Sequence, residues 1–244
     1  MDKNFEHKYH ELEASHFWFK SRRNFILQLL KNTNRNSKVL DIGCSSGLLL
    51  KDLEKEGFKS ENLYGIDISQ KAIENCKANG LNNCFVMSGD AIDLNEAFDI
   101  MIASDCLEHI ENDNLALDNW NKQLKAGGKL YVFVPAFNSL WSHHDEVNMH
   151  FRRYTSKHLN NLLRKNNFII KASGYWNFTL FLPLFIFRKI NQSFRKSTSK
   201  KTDGDLNNIG LFNTPLLRLL NLENKMLKRV KFPFGISTYA IAQK

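Results

Sequence analysis

The chain is short of cysteine. Cys44, Cys76, Cys84 and Cys106 are its only four. None stands in a Cys-x-x-Cys pair and no histidine lies at zinc-finger spacing, so neither a disulfide framework nor a metal site is expected. No apolar stretch reaches the roughly 18 residues that a bilayer crossing demands. The first residues, Met1-Asp2-Lys3-Asn4, hold no apolar core of a secretory leader. The expected compartment is therefore the cytoplasm. No internal repeat is visible. Acidic residues nearly vanish in the last third. Residues 151–244 contain 18 Lys/Arg against only Asp203, Asp205 and Glu223, whereas residues 1–150 contain 16 Lys/Arg and 22 Asp/Glu. A basic end on an acidic body points to an anionic partner, either a nucleic acid, a membrane surface or a phosphorylated substrate. Its bland counterpart is a solvated basic face.

What the chain does have is alternation. Residues 5–34 read as one or two helices. Strand signals follow at Lys38–Ile42, Leu63–Ile68, Cys84–Met87, Phe98–Ala103 and Lys129–Pro135, with helical signals at Leu48–Glu56, Gln70–Ala78 and Asn112–Leu124. This order predicts an α/β fold with a mostly parallel sheet covered by helices on both faces. Residues 136–154 read as a polar, histidine-rich loop. Thr155 reads as the N-cap of a helix ending near Lys165. A sixth strand is expected at Phe168–Ser173 and a last one at Ser237–Ala242.

Three successive strand ends carry ligand-binding chemistry. Val39-Leu40-Asp41-Ile42-Gly43-Cys44-Ser45-Ser46-Gly47 is a strand running into a glycine turn before a helix. Such a turn brings backbone and free N–H groups close to a ligand. Asp67 ends the second strand, 24 residues after Gly43, where a carboxylate accepts both hydroxyls of a ribose. Gly89-Asp90-Ala91 ends the third, where a carboxylate accepts the exocyclic amine of adenine. Turn, acid and acid at one sheet edge describe a mononucleoside site. A nicotinamide enzyme fits less well, since the turn lacks the Gly-x-Gly-x-x-Gly spacing and leaves Asp90 without a role.

These residues resemble the class I S-adenosylmethionine-dependent methyltransferases over roughly residues 38–175 plus the last strand. Asp41-Ile42-Gly43-Cys44-Ser45-Ser46-Gly47 is similar to the family's acid-x-Gly-x-Gly-x-Gly loop, with Ser45 in place of the middle glycine. Gly128-Lys129-Leu130-Tyr131-Val132 resembles its fifth-strand motif. The resemblance implies a Rossmann-like, seven-stranded sheet. It also implies that Asp41 and the Gly43, Cys44, Ser45 and Gly47 stretch hold the methionine part, with Asp67 and Ile68 at the ribose and Asp90 and Ala91 at the adenine. Ser104 and the following loop to His109 floor the pocket. S-adenosylhomocysteine is the implied product.

Acceptor chemistry is sought in two loops. Methyl transfer from a sulfonium is an in-line displacement, and a hydroxyl acceptor also needs a general base, most often histidine. The first loop is Asp105-Cys106-Leu107-Glu108-His109, with His109 as candidate. The second is Trp141-Ser142-His143-His144-Asp145 and its continuation His150-Phe151-Arg152-Arg153-Tyr154. There His144, His150 and Asp145 are candidate catalytic groups. Trp141, Arg152, Arg153 and Tyr154 are candidate acceptor contacts. This loop resembles a bacterial subgroup carrying Trp, His-Asp and His-x-Arg-Arg-Tyr. That subgroup also has an N-terminal His-aromatic-Trp-aromatic stretch, here His16-Phe17-Trp18-Phe19 followed by Arg22. The resemblance implies a helical lid over residues 1–36 and Arg22 at the methionine carboxylate.

The core is thus expected at 37–175 with 236–244, and an insertion at 176–235. In the insertion, Trp176–Phe187 reads as an apolar aromatic wedge followed by Arg188, Lys189, Arg195 and Lys196. Ser197–Asn208 reads as a mobile linker, and Thr214-Pro215 opens a second helix. Such a wedge rests on an anionic membrane surface, or else it is capped by the domain or by a second subunit in a homo-oligomer. The expected activity is methyl transfer to an oxygen of a small-molecule or lipid-linked saccharide acceptor, with a histidine as general base. The alternatives are a nucleic-acid methyltransferase and a non-catalytic binder of S-adenosylmethionine. Against nucleic acid, no Asn/Asp-Pro-Pro-aromatic motif follows the fourth strand and no RNA-binding module is recognisable.

Overall fold

The computed structural model describes residues 12–194 and 210–244. Helix α1 (Phe17–Leu29) precedes β1 (Val39–Ile42), α2 (Leu48–Lys55), β2 (Leu63–Asp67), α3 (Gln70–Ala78), β3 (Cys84–Val86) and β4 (Phe98–Ser104). Then come α4 (Asp113–Gln123), β5 (Leu124–Pro135), α5 (His143–Val147), α6 (Ser156–Lys165), β6 (Ile169–Trp176), α7 (Phe181–Phe194), α8 (Asn213–Met226) and β7 (Ser237–Gln243). The seven strands form one sheet in the order β3-β2-β1-β4-β5-β7-β6. Only β7 runs antiparallel, between β5 and β6. The expected Rossmann-like, mostly parallel sheet is what the chain forms.

The strands are apolar on both faces because helices cover both. In β4 and β5 neighbouring residues go to opposite cores: Met101, Ala103, Leu130 and Val132 join Trp120 and Leu159. Ile100, Ile102, Tyr131 and Phe133 join Phe25, Leu50 and Ile73. Three helices start on a side chain that caps them. Ser69 accepts from the Ala72 N–H, Asn112 from Leu115 and Thr155 from His158. The strand order reverses between β1 and β4, which opens a crevice at the carboxyl edge.

Residues 136–154 are more ordered than a polar loop. They contain α5, because Ser142 and Asp145 form a capping box across its first turn. The wedge divides. Trp176 closes β6, fully buried against Phe25 at a ring separation of 6.0 Å. The apolar helix starts only at Phe181, and Pro183 sits in its first turn, where no N–H is needed. Arg188 is buried and donates to the Leu140 carbonyl, so it is a structural cation and not a surface one. The expected linker at Ser197–Asn208 and residues 5–11 lie outside the described residues. Helix α8 packs on α1: Asn224 donates to the Ser21 carbonyl at 2.9 Å and accepts from the Trp176 indole at 2.7 Å. Buried Glu223 accepts from the Phe178 and Thr179 N–H groups at 2.9 and 3.1 Å. The N-terminal helix and the insertion therefore pack as neighbours on one side of the sheet. Among the described residues no helix is long and apolar enough to cross a membrane.

Candidate active site

The turn after β1 carries three left-handed residues, Gly43 at φ 75°, Ser45 at 49° and Gly47 at 76°. Gly43 is tight because a Cβ there would meet the Cys106 Cβ at 3.3 Å. Ser45 adopts the glycine-like conformation and keeps it through two bonds. Its N–H donates to the Asp67 carboxylate at 3.0 Å and its hydroxyl to Glu13 at 3.0 Å. Asp67 also accepts from the Ser69 N–H at 2.9 Å. Asp41 lies buried below this turn, and burial pushes its carboxyl well above the ordinary range, helped by nearby Cys84, Glu13 and Asp67. Two carboxylates at one turn, Glu13 and Asp67, favour a cationic ligand. Beside them Ile68 is 73% exposed, an apolar surface for a base to cover. An ammonium, a sulfonium and a ribosyl adenine fit this set of donors and walls. Glu13 was not legible in the sequence, where no motif or spacing marks it.

Gly43, Ser45, Asp67, Ile68, Asp90, Ser104 and Arg22 line a single cavity of about 1660 Å³. Asp41, Cys44, Gly47 and Ala91 are outside its lining. Ser104 keeps a buried hydroxyl with no partner among the described residues. Arg22 is buried, ion-paired with Asp105, and its guanidinium lies 5.6 Å from the Trp18 ring and 5.3 Å from the Trp176 ring. Asp105 itself holds φ 52°.

The same cavity is lined by Glu108, His109, His144 and His150. His150 Nδ1 lies 2.9 Å from Asp145 Oδ1. Asp145 is wholly buried and accepts from Arg153 Nε and Nη2 at 2.7 and 3.0 Å and from the Ser142 N–H at 2.8 Å. Burial alone raises its carboxyl, but the bonds from His150 and Arg153 outweigh it and hold the group below the usual range. Burial, reinforced by the neighbouring His150, pushes His109 down to about 3, so its imidazole is neutral. Burial pushes Glu108 up to about 8. The His109 and His150 rings stand 4.6 Å apart, edge to face.

The expected acceptor contacts are dispersed. Arg153 lines the cavity but is committed to Asp145 and to the Ala136 carbonyl at 3.0 Å. Tyr154 is fully buried, donating to Asp113 at 3.1 Å, so it is a core residue. Arg152 pairs with Asp113 at 2.7 Å beside a second, smaller cavity. Trp141 is half-buried outside the main lining. The far wall is apolar instead, with Phe17, Trp18, Leu180, Leu184, Phe187 and Leu216.

Comparison with known proteins converges on one description. A methyltransferase-domain family model matches residues 10–172. A ubiquinone biosynthesis O-methyltransferase of Rickettsia conorii is 30% identical over 108 residues, covering 42% of this chain and 36% of that protein. The chain spans under half the length of the curated relatives it matches. Among solved structures, a Haloferax volcanii methyltransferase bound to the Trm112 methyltransferase activator superposes with TM-score 0.65 at 13% identity, over 98% of this chain and 94% of the other. The plantazolicin methyltransferase, solved with a substrate analogue and S-adenosylhomocysteine, gives 0.61 at 18% identity, over 99% and 90%.

Proposed function

The chain belongs to the methyltransferase-domain family and is an S-adenosylmethionine-dependent methyltransferase, and from this premise we propose that it methylates a hydroxyl of a small-molecule or lipid-linked saccharide. The cofactor supplies an electrophilic methyl group and departs as S-adenosylhomocysteine. Asp41, Glu13 and the turn from Gly43 to Gly47 hold its methionine end, with Arg22 at the carboxylate. Asp67 takes the ribose hydroxyls, and Ile68, Asp90 and Ala91 take the adenine.

In this reading His150 is the base. Asp145 receives its Nδ1 hydrogen, which leaves the opposite ring nitrogen free to take a hydroxyl proton. His109 and His144 border the same space. The O-methyltransferase name of the relatives supports an oxygen acceptor.

One observation carries the amphipathic acceptor. The cavity wall of Leu180, Leu184 and Phe187 belongs to the same apolar segment whose outer face exposes Leu182, Ile186 and Ile190, four residues apart on α7. The cavity exceeds the roughly 300–1,000 Å³ usual for a small ligand. Lys225, Lys228, Arg229 and Lys231 are exposed at and just after the end of α8. Helix α1 acts as lid, the sheet with its covering helices as catalytic core, and α7 with α8 as the element resting on the inner membrane face. The test incubates a cell extract with radiolabelled cofactor and purified protein, then separates lipid, small-molecule and RNA fractions. Label in the lipid or small-molecule fraction is the expected result. Label confined to RNA overturns the reading.

A further inference from the structure

Glu108 is a buried carboxyl group turned into the cavity. It is 0% exposed and lines the cavity, and among the described residues no other residue donates a hydrogen bond to either carboxylate oxygen. A buried carboxylate left in that state is costly, and such groups are normally paired or bound to a cation. Its neighbours supply what a cation needs. One oxygen of Glu108 and one ring nitrogen each of His109 and His150 lie within 4.8 Å of one another. Ligand atoms at about 2.0–2.2 Å from a metal stand roughly 3–3.5 Å apart, so a small side-chain rotation closes the set.

One imidazole is held from behind in the manner of a metal ligand. His150 Nδ1 is bonded to Asp145, which Arg153 fixes through two hydrogen bonds. In metal sites the second ring nitrogen is bonded to a carboxylate or a carbonyl, which fixes the tautomer and aims the other lone pair. His150 has that support.

We propose that Glu108, His109 and His150 bind one divalent first-row transition-metal ion on the acceptor side of the cavity. Two imidazoles and a carboxylate suit Zn²⁺, Mn²⁺ or Fe²⁺ and leave positions open for an acceptor hydroxyl. When bound, the ion takes the His150 lone pair and itself makes the acceptor hydroxyl more acidic, so that His150 serves as base only in the metal-free protein. The hydroxyl proton goes to solvent, the oxygen forms the new O–C bond, and the C–S bonding pair returns to sulfur. This catalytic consequence rests on the oxygen-acceptor reading, whereas the site itself does not. The second cluster of metal-ligating groups among the described residues, Cys44, Cys76 and Cys84, is packed in the core away from the cavity lining.

The test titrates Co²⁺, Mn²⁺ and Zn²⁺ into the metal-stripped full-length protein by calorimetry, with S-adenosylhomocysteine binding as the check on folding. One equivalent is expected to bind, and Co²⁺ should show d–d bands without a thiolate charge-transfer band. Glu108→Gln and His109→Ala should lose this binding while retaining S-adenosylhomocysteine. Asp145→Asn should weaken it by about 10–100-fold. Absence of binding, binding untouched by Glu108→Gln, or a thiolate band removed by Cys84→Ser each overturns the site. If the ion binds as expected but label enters only amines or RNA, the site stands and the oxygen-acceptor reading fails.

Discussion

Arg22 and Asp105, 83 residues apart in the chain, form an ion pair between a buried guanidinium and a half-buried carboxylate that joins helix α1 to the loop after β4. The two tryptophan faces around Arg22 screen the pair from water. Removing one partner strands the other. Arg22→Met is expected to cost about 3 kcal/mol in urea unfolding. The double variant Arg22→Met/Asp105→Asn should recover much of that loss, because no unpaired charge remains. A double variant that is as unstable as the sum of its parts would show that the pair is not coupled. Loss of S-adenosylhomocysteine affinity in both variants would then support Arg22 at the methionine carboxylate.

Asp67→Asn removes a charge-assisted acceptor from the end of β2. Cofactor binding should weaken by about 1.5–3 kcal/mol, measured by calorimetry with S-adenosylhomocysteine. Since Asp67 also accepts from Ser45 and Ser69, thermal unfolding must accompany the titration. Unchanged affinity in a folded variant removes Asp67 from the site.

Asp41 gives a pH signature. Burial, and then nearby Cys84, Glu13 and Asp67, raise its folded-state pKa above the unfolded value. The folded chain therefore holds this proton more tightly. The associated stability is complete below about pH 4, the ordinary aspartate range, and is lost as pH rises through the folded value. Asp41→Asn should raise the melting temperature of the ligand-free protein at pH 8, with the gain shrinking toward pH 4. A pH-independent melting difference would contradict this account.

His150→Ala should lower turnover by about 10²–10⁴-fold, the range for loss of one general base or its equivalent, with cofactor affinity nearly unchanged. His144→Ala should cost less, because Asp145 orients His150 and not His144. If His144→Ala is the more damaging variant under single-turnover conditions, the assignment of the base is reversed.

The membrane reading is tested at the exposed face of α7. Leu182→Ser, Ile186→Ser and Ile190→Ser together should leave the protein folded, since all three side chains face outward. Flotation with vesicles containing anionic lipid should show wild-type binding that weakens with salt and is lost in the triple variant. Phe181 and Phe185 are unsuitable targets: both are half-buried, with Phe181 packed 5.8 Å from the Phe137 ring and 4.8 Å from Phe234. Wild-type protein that stays in the soluble fraction at low salt removes the membrane from the proposal.

Local pattern carried the sheet and the cofactor half of the site. Continuous apolar runs such as Ile100-Met101-Ile102-Ala103 specify strands buried on both faces, and capping residues such as Ser69 and Thr155 mark helix starts within a few neighbours. Gly43, Asp67 and Asp90 were legible for the same reason, as each stands at the end of its own strand. The tertiary structure alone decided the rest. It buried Tyr154 and Arg188 where the sequence suggested exposed polar contacts, because burial depends on what packs from outside the local segment. It brought Glu13 against Ser45 and Ser46, Arg22 against Asp105, and Glu108 and His109 against a His150 some 40 residues later. These pairings join elements that are distant in the chain, and no short-range periodicity encodes a distance that only the closed sheet and its covering helices create.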